Sequence, residues 1–302
     1  MSIAASSTPV PAKRSLPRRV AIWLHAHRRV QMGLLLVGPV GWLAVAYLGS
    51  LGILLMNAFW ATDSFTLAVI PFDWSLDAFE SLITVPVYRT IAIRTLVMAG
   101  LVTVTCALLA FPIAYYMARI ASPRTRNALL IAVLMPLWAA YLVKVYAWRT
   151  ILQGNGFVDV MLAPFGIDGP GLQAISNSWL VLTYLWLPYM ILPLYAGFER
   201  IPASYLEASA DLGGRSWTTF RRVVLPLVFP ALIAGSIFTF SLSLGDYITP
   251  DLVSNTQFIG NVIYDNSSLG NRPLAAAYSM LPIVIMITYL LVARRLGAFE
   301  SL

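Results

Sequence analysis

The chain has 302 residues, 59% of them hydrophobic and only 11% charged, against about a quarter charged in an ordinary soluble domain. A soluble globule of this size cannot hide so much apolar surface, because part of any fold must face water, whereas a bilayer can take it. The formal charge of +7 is spread over the flanks of the apolar runs, where it sets topology and meets anionic lipid rather than nucleic acid.

In chain order, residues 1–31 form a basic tail containing Lys13, Arg14, Arg18, Arg19, Arg28 and Arg29, read as a cytoplasmic topology signal. The first apolar run, Met32–Trp60, includes Ala44-Val45-Ala46, which superficially resembles a cleavage site. The run continues well past it, too far for a signal-peptide core, and reads as an uncleaved anchor. Five further runs follow at Ile91–Ala118, Asn127–Leu152, Ser178–Phe198, Val228–Ile248 and Leu274–Ala293. Each is close to the roughly 20 residues that cross a hydrocarbon core. Pro39, Pro112, Pro136 and Pro188 lie inside these runs and do not forbid helix, since neighbouring helices re-satisfy the freed backbone. The expected fold is all-α and integral to the membrane, with six transmembrane helices in residues 32–302.

Charge placement orients the chain. With the N-terminus in the cytoplasm, the tail residues above join Arg119, Arg124, Arg126, Arg200, Arg215, Arg221, Arg222, Arg294 and Arg295 inside, 15 of the 20 basic residues. The outer loops then hold Asp63, Asp73, Asp77, Glu80, Asp159, Asp168, Asp251 and Asp265. The positive-inside rule places both termini in the cytoplasm.

Several chemistries are missing from the pattern. Cys106 is the only cysteine, so no disulfide framework exists within the chain. His25 and His27 are the only histidines and have no cysteine or carboxylate cluster at metal spacing, so no metal site is expected. Neither Lys13 nor Lys144 follows a glycine as a phosphate-binding loop requires. No nucleophile-elbow serine or Ser/His/Asp set is found. No catalytic residue is expected in this chain. A secondary transporter or channel would suit six helices, but no paired broken helices or ion-coupling acids stand out.

Between the fourth and fifth runs, residues Ile201 to Pro226 read as two short helices meeting at a turn. Pro202 suits a helix start, and Ser204 with Glu207 has capping-box spacing. Gly213-Gly214 accepts left-handed backbone past a helix end, Ser216 can cap the second helix, and Pro226 opens the re-entry into the membrane. Taken singly, these residues could do no more than cap, turn and anchor. Tyr205, Leu206, Trp217 and Phe220 make an apolar face divided between a partner and the membrane helices.

This loop resembles the signature loop of the permease subunits of type I ABC importers. Glu207-Ala208, Gly213, Phe220 and Leu225-Pro226 all stand at the family spacing, with Ser209 and Gly214 as mild departures. The resemblance extends over roughly residues 89–295. It includes Tyr115-Tyr116-Met117-Ala118-Arg119, Tyr141 to Arg149, Gly245-Asp246-Tyr247-Ile248-Thr249-Pro250 and Ile259-Gly260-Asn261. These stretches look like the spermidine and putrescine branch, specifically the first permease of its pair, with Lys144 where Arg is expected.

The resemblance implies a cytoplasmic elbow, the coupling helix, that docks on an ATP-binding subunit through Glu207, Ala208, Asp211, Gly213, Phe220, Leu225 and Pro226. It implies two copies of that subunit carrying ATP and magnesium, while this chain binds no cofactor. A second homologous permease, an extracytoplasmic solute-binding protein and the bacterial inner membrane complete the implied machine. Thiamine, iron and an aminophosphonate are the alternative solutes. For a polyamine path the candidates are Asp246, at a membrane border, with Tyr184 and Trp186, whose rings can hold an ammonium. Trp179 and Tyr195, nearer the ends of the run, read as interfacial belt.

Overall fold

The computed structural model describes residues 28–63, 69–166, 169 and 171–295. The tail residues Lys13, Arg14, Arg18, Arg19, His25 and His27, together with Asp168, lie outside them. The chain divides into two units, residues 1–56 and 57–302. In the first, α1 (Arg28–Leu43) runs through a π-helical turn at Ala44–Leu48 into α2 (Gly49–Asn57). The stretch Leu35–Asn57 is long and apolar enough to cross a bilayer.

The second unit opens with a small antiparallel hairpin, β1 (Trp60–Thr62) and β2 (Val69–Trp74), pairing Trp60 with Trp74. This hairpin is the one departure from an all-α chain among the described residues, and α3 (Asp77–Thr84) follows it. The long helix α4 (Pro86–Tyr115) continues through a π-helical turn at Tyr116–Ile120. Then come α5 (Pro123–Trp138), α6 (Tyr141–Leu152), α7 (Phe157–Leu162) and α8 (Ile175–Glu199). The elbow comprises α9 (Ala203–Asp211), α10 (Ser216–Thr219) and a π-helical turn at Phe220–Val224, which leads into α11 (Leu225–Gly245). The chain closes with α12 (Ile248–Ser254), α13 (Ile259–Ser268) and α14 (Arg272–Arg295).

Among the described residues, five helices are long and apolar enough to span a membrane, or six if one bent pair is counted. That pair corrects the expectation of a continuous third helix over Asn127–Leu152. The chain turns by 94° between Pro123–Trp138 and Tyr141–Phe165. Ala139 and Ala140, with ψ of 138° and 137°, are extended. The fifth helix also differs from its expected bounds of Val228–Ile248. It ends at Gly245, and its continuous helical stretch begins at Ser216, so the second arm of the elbow and the membrane span are one helix. Pro226 does not interrupt it. A proline ring crowds the carbonyl one turn back, and the wider π-helical turn just before Pro226 leaves room for it.

Helices α4, α8 and α11 pack mutually and carry the core. Small residues set their approach. A Cβ on Gly197 would fall 2.5 Å from Ala231 Cβ, and one on Gly235 would fall 2.8 Å from Met190 Sδ. Such contacts replace hydrophobic burial as the adhesive between helices in lipid. A second cluster joins Ile91 and Ala99 of α4 to Phe240, Leu244, Ile259 and Tyr278.

Candidate functional site

Two features at opposite ends of α11 carry the candidate residues. At its start, α9 ends in a hydrogen-bonded glycine turn. The Gly213 N–H donates to Ala210 O at 2.9 Å, and the Gly214 N–H donates to Ser209 O at 2.8 Å. Gly213 has φ +74°, the left-handed residue that this Schellman arrangement needs. Gly214 is required for a different reason. A Cβ there would lie 2.6 Å from both the carbonyl oxygen and Oγ of Ser209 and 3.1 Å from Thr219 Oγ1. The two arms are pinned across this point by the Ser209 Oγ to Thr219 Oγ1 hydrogen bond of 2.8 Å.

The expected caps do not form. Helix α9 begins at Ala203 with Pro202 in the cap position, so Ser204 falls in its first turn and Glu207 in its second. Arg215, not Ser216, precedes α10, and neither helix has a side-chain cap. Glu207 is exposed and makes no hydrogen bond or ion pair among the described residues. Ala208, Asp211, Gly213 and Pro226 are also exposed, whereas Phe220 and Leu225 are half-buried.

The apolar face is divided. Leu206 and Phe220 pack on the core. Tyr205, Trp217 and Leu212 are 52%, 69% and 89% exposed. Phe220 stacks on Trp217 at 5.4 Å and meets Phe111 of α4 edge-on at 5.4 Å, which in turn meets Phe198 of α8 at 5.1 Å. A cavity of about 430 Å³ opens between the arms, lined by Tyr205, Ala208, Leu212, Thr218 and Arg222.

At the far end of α11, Asp246 is 8% exposed and anchors a dense hydrogen-bond node. The Tyr141 hydroxyl lies 2.6 Å from each of its carboxylate oxygens and 2.7 Å from Thr249 Oγ1. The Ile248 and Thr249 N–H groups each donate to Asp246 Oδ1 at 3.1 Å, so the carboxylate also caps α12. Asn261 Nδ2 donates to Tyr247 O at 2.8 Å, and a Cβ on Gly260 would stand 2.9 Å from Tyr247 Cβ. Three stretches quoted separately from the sequence therefore interlock here: Tyr141 to Arg149, Gly245 to Pro250 and Ile259 to Asn261.

Beside this node is a cavity of about 320 Å³ lined by Tyr141, Trp186, Ser241, Gly245, Asp246 and Tyr247. The Tyr141 and Trp186 rings lie nearly parallel, 6.1 Å apart and 15° from coplanar. The structure thus brings Asp246 and Trp186 to one cavity. Tyr184 lies apart, edge-on to Trp148 at 5.4 Å. Sequence reasoning missed Tyr141 and Thr249 as partners of Asp246. Both stood within quoted stretches, but nothing local paired residues 105 positions apart.

Comparison with known proteins places these features in context. Residues 54–299 match the family described as binding-protein-dependent transport system inner membrane component. The Escherichia coli K12 inner membrane ABC transporter permease protein YdcU is 45% identical over 89% of this chain and 90% of its own length. The E. coli K12 spermidine/putrescine transport system permease protein PotB is 30% identical over 85% of this chain and 94% of its own. A chain from the crystal structure of a bacterial ABC transporter involved in import of the acidic polysaccharide alginate has the same fold. It has a TM-score of 0.69 at 19% identity, covering 91% of this chain and 99% of that one. The chain belongs to the binding-protein-dependent transport system inner membrane component family and is a multi-pass permease subunit of an ABC importer.

Proposed function

We propose that this permease forms half of the path of an ATP-driven importer of polyamines, and that the Asp246 cavity receives the cationic solute. The observation that carries the solute reading is a buried carboxylate with aromatic walls and no basic side chain lining its cavity. Asp246 accepts five hydrogen-bond contacts, yet no ion pair reaches it among the described residues. A buried charge without a countercharge is costly, and an ammonium group supplies that countercharge. An ammonium over an aromatic face adds about 0.5–2 kcal/mol, depending on desolvation. The likeness to the E. coli and Haemophilus influenzae spermidine/putrescine permeases, at 30% and 33% identity, supports the same solute class.

The remaining parts of the proposed machine follow from the elbow. The machine has two copies of an ATP-binding subunit carrying ATP and magnesium, one of which docks on the exposed Glu207, Ala208, Asp211, Tyr205 and Trp217 of this chain. Phe220, Leu225 and Pro226 tie that surface to α11. A second homologous permease closes the path, and an extracytoplasmic solute-binding protein delivers the solute. We place both termini in the cytoplasm of a bacterial cell, a reading the clustering of basic residues beside the elbow end supports.

Uptake of labelled spermidine and putrescine by cells carrying Asp246→Asn tests the solute reading. Asparagine keeps the shape and accepts the Tyr141 hydrogen bond but removes the charge. Energised uptake should fall about tenfold or more, equivalent to about 1.4 kcal/mol. Unchanged polyamine uptake in cells lacking the protein, with loss of thiamine, iron or aminophosphonate uptake, would transfer the reading to that solute.

A further inference from the structure

The end of α8 immediately precedes the elbow, and its last carbonyls lack the i+4 partners of a helix interior; Phe198 O takes only a longer bond, 3.3 Å, from the Ile201 N–H. One side chain from another span reaches them. Arg119 Nη2 donates to Phe198 O at 2.7 Å and also to Ile201 O, from positions 79 and 82 residues away in sequence. Pro202, the cap position of α9, follows Ile201, so Arg119 holds the carbonyl at the joint into the elbow. A cation suits this place: one nitrogen, Nη2, serves both acceptors, and the charge faces the negative end of the helix dipole.

Local structure aims the residue. Arg119 sits in the π-helical turn Tyr116–Ile120 at the end of the second span, and that turn packs against α8. A second polar tie lies next to it, where Arg126 Nη1 meets Glu199 Oε1 at 3.0 Å and the Tyr195 hydroxyl donates to the same carboxylate oxygen. Aromatic contacts make a third tie. Phe111 and Tyr115 of α4 meet Phe198 at 5.1 Å and 5.5 Å, and Phe111 also meets Phe220 of the elbow. The aromatic contacts and the Arg126 pair sit on side chains, whereas Arg119 grips backbone at the root of the elbow.

We infer that Arg119 is a positioning residue for coupling, clamping the root of the elbow to the second span so that a push on the elbow moves α4 and α8 together. The inference rests on the reading of the elbow as the docking surface for the ATP-binding subunit. Without the clamp, the Ile201-Pro202 joint becomes a hinge, and motion of the elbow is lost in bending.

The test uses the full importer complex with nitroxide labels at Arg124→Cys and Thr218→Cys, both exposed positions, one beyond the second span and one on the elbow. With Arg119 present, the label distance should be narrow and stay narrow in the ATP–vanadate state. In Arg119→Gln it should broaden or split at least in the trapped state, while basal ATP hydrolysis and co-purification of the ATP-binding subunit persist. If Arg119→Gln does not assemble, Arg119→Leu decides, since it keeps an apolar stem of similar bulk near the helix end but donates to neither carbonyl; broadening is again expected. An unchanged distribution in the assembled variants would overturn the inference. Failure of the docking reading would look different: Gly213→Val would then retain normal co-purification of the ATP-binding subunit whatever the label distances show.

Discussion

The elbow turns on two adjacent glycines with separate duties. Gly213 takes φ +74° with nothing within 4 Å of a hypothetical Cβ, so its constraint is conformational. Gly214 takes ordinary backbone but has no room. Ser209 and Gly214, the two mild departures from the family pattern, face each other: the Ser209 hydroxyl occupies part of the space a side chain at 214 would need. The need for glycine at 213 was legible in the sequence, because a helix end followed by Gly-Gly signals left-handed backbone. The role of Glu207 was less legible, since its spacing to Ser204 suggested a cap that the start of α9 at Ala203 does not permit. An exposed carboxylate with no partner among the described residues is spare for another chain. Glu207→Gln should therefore leave the thermal stability of the permease unchanged and weaken capture of the ATP-binding subunit several-fold, as loss of a charge-assisted contact about twice as strong as a neutral one predicts. Pull-down from membranes alongside a melting curve checks both halves.

At the level of elements, apolar run length located every span in the described residues to within a few positions at most ends. Two features escaped it. The break in the third span falls at Ala139-Ala140, between α5 and α6, although alanine is the strongest helix former. No local signal marks that break. The Tyr141 hydroxyl, bound to Asp246 from 105 residues away, ties the start of α6 to the end of α11 instead. The early start of the fifth helix was hidden by Pro226, which reads as a beginning until the π-helical turn before it is seen. The break yields a prediction. Tyr141→Phe removes the donor shared by both Asp246 oxygens and leaves a buried carboxylate less well satisfied, at about 1–3 kcal/mol. The purified complex should melt at lower temperature, and the α5–α6 bend should become more accessible to proteases.

For the molecule as a whole, the geometry joins the elbow, the proposed docking surface, to a carboxylate cavity through one continuous helix, Ser216–Gly245. A lever of this kind needs the elbow in the cytoplasm. Cysteines at Arg124 and Arg215 should be shielded from an impermeant thiol reagent in intact cells and react once the membrane is opened. Labelling of both from outside would invert the topology. The central claim is that the elbow carries the force of ATP hydrolysis to the path. It is tested most directly by ATP hydrolysis of the reconstituted importer with and without its spermidine-loaded binding protein, comparing the native chain with Gly213→Val. A β-branched side chain in left-handed backbone costs about 1–2 kcal/mol or more and displaces the elbow without touching the spans. The account predicts stimulated hydrolysis in the native complex and its loss in Gly213→Val with the permease still inserted. Full stimulation in that variant would contradict it.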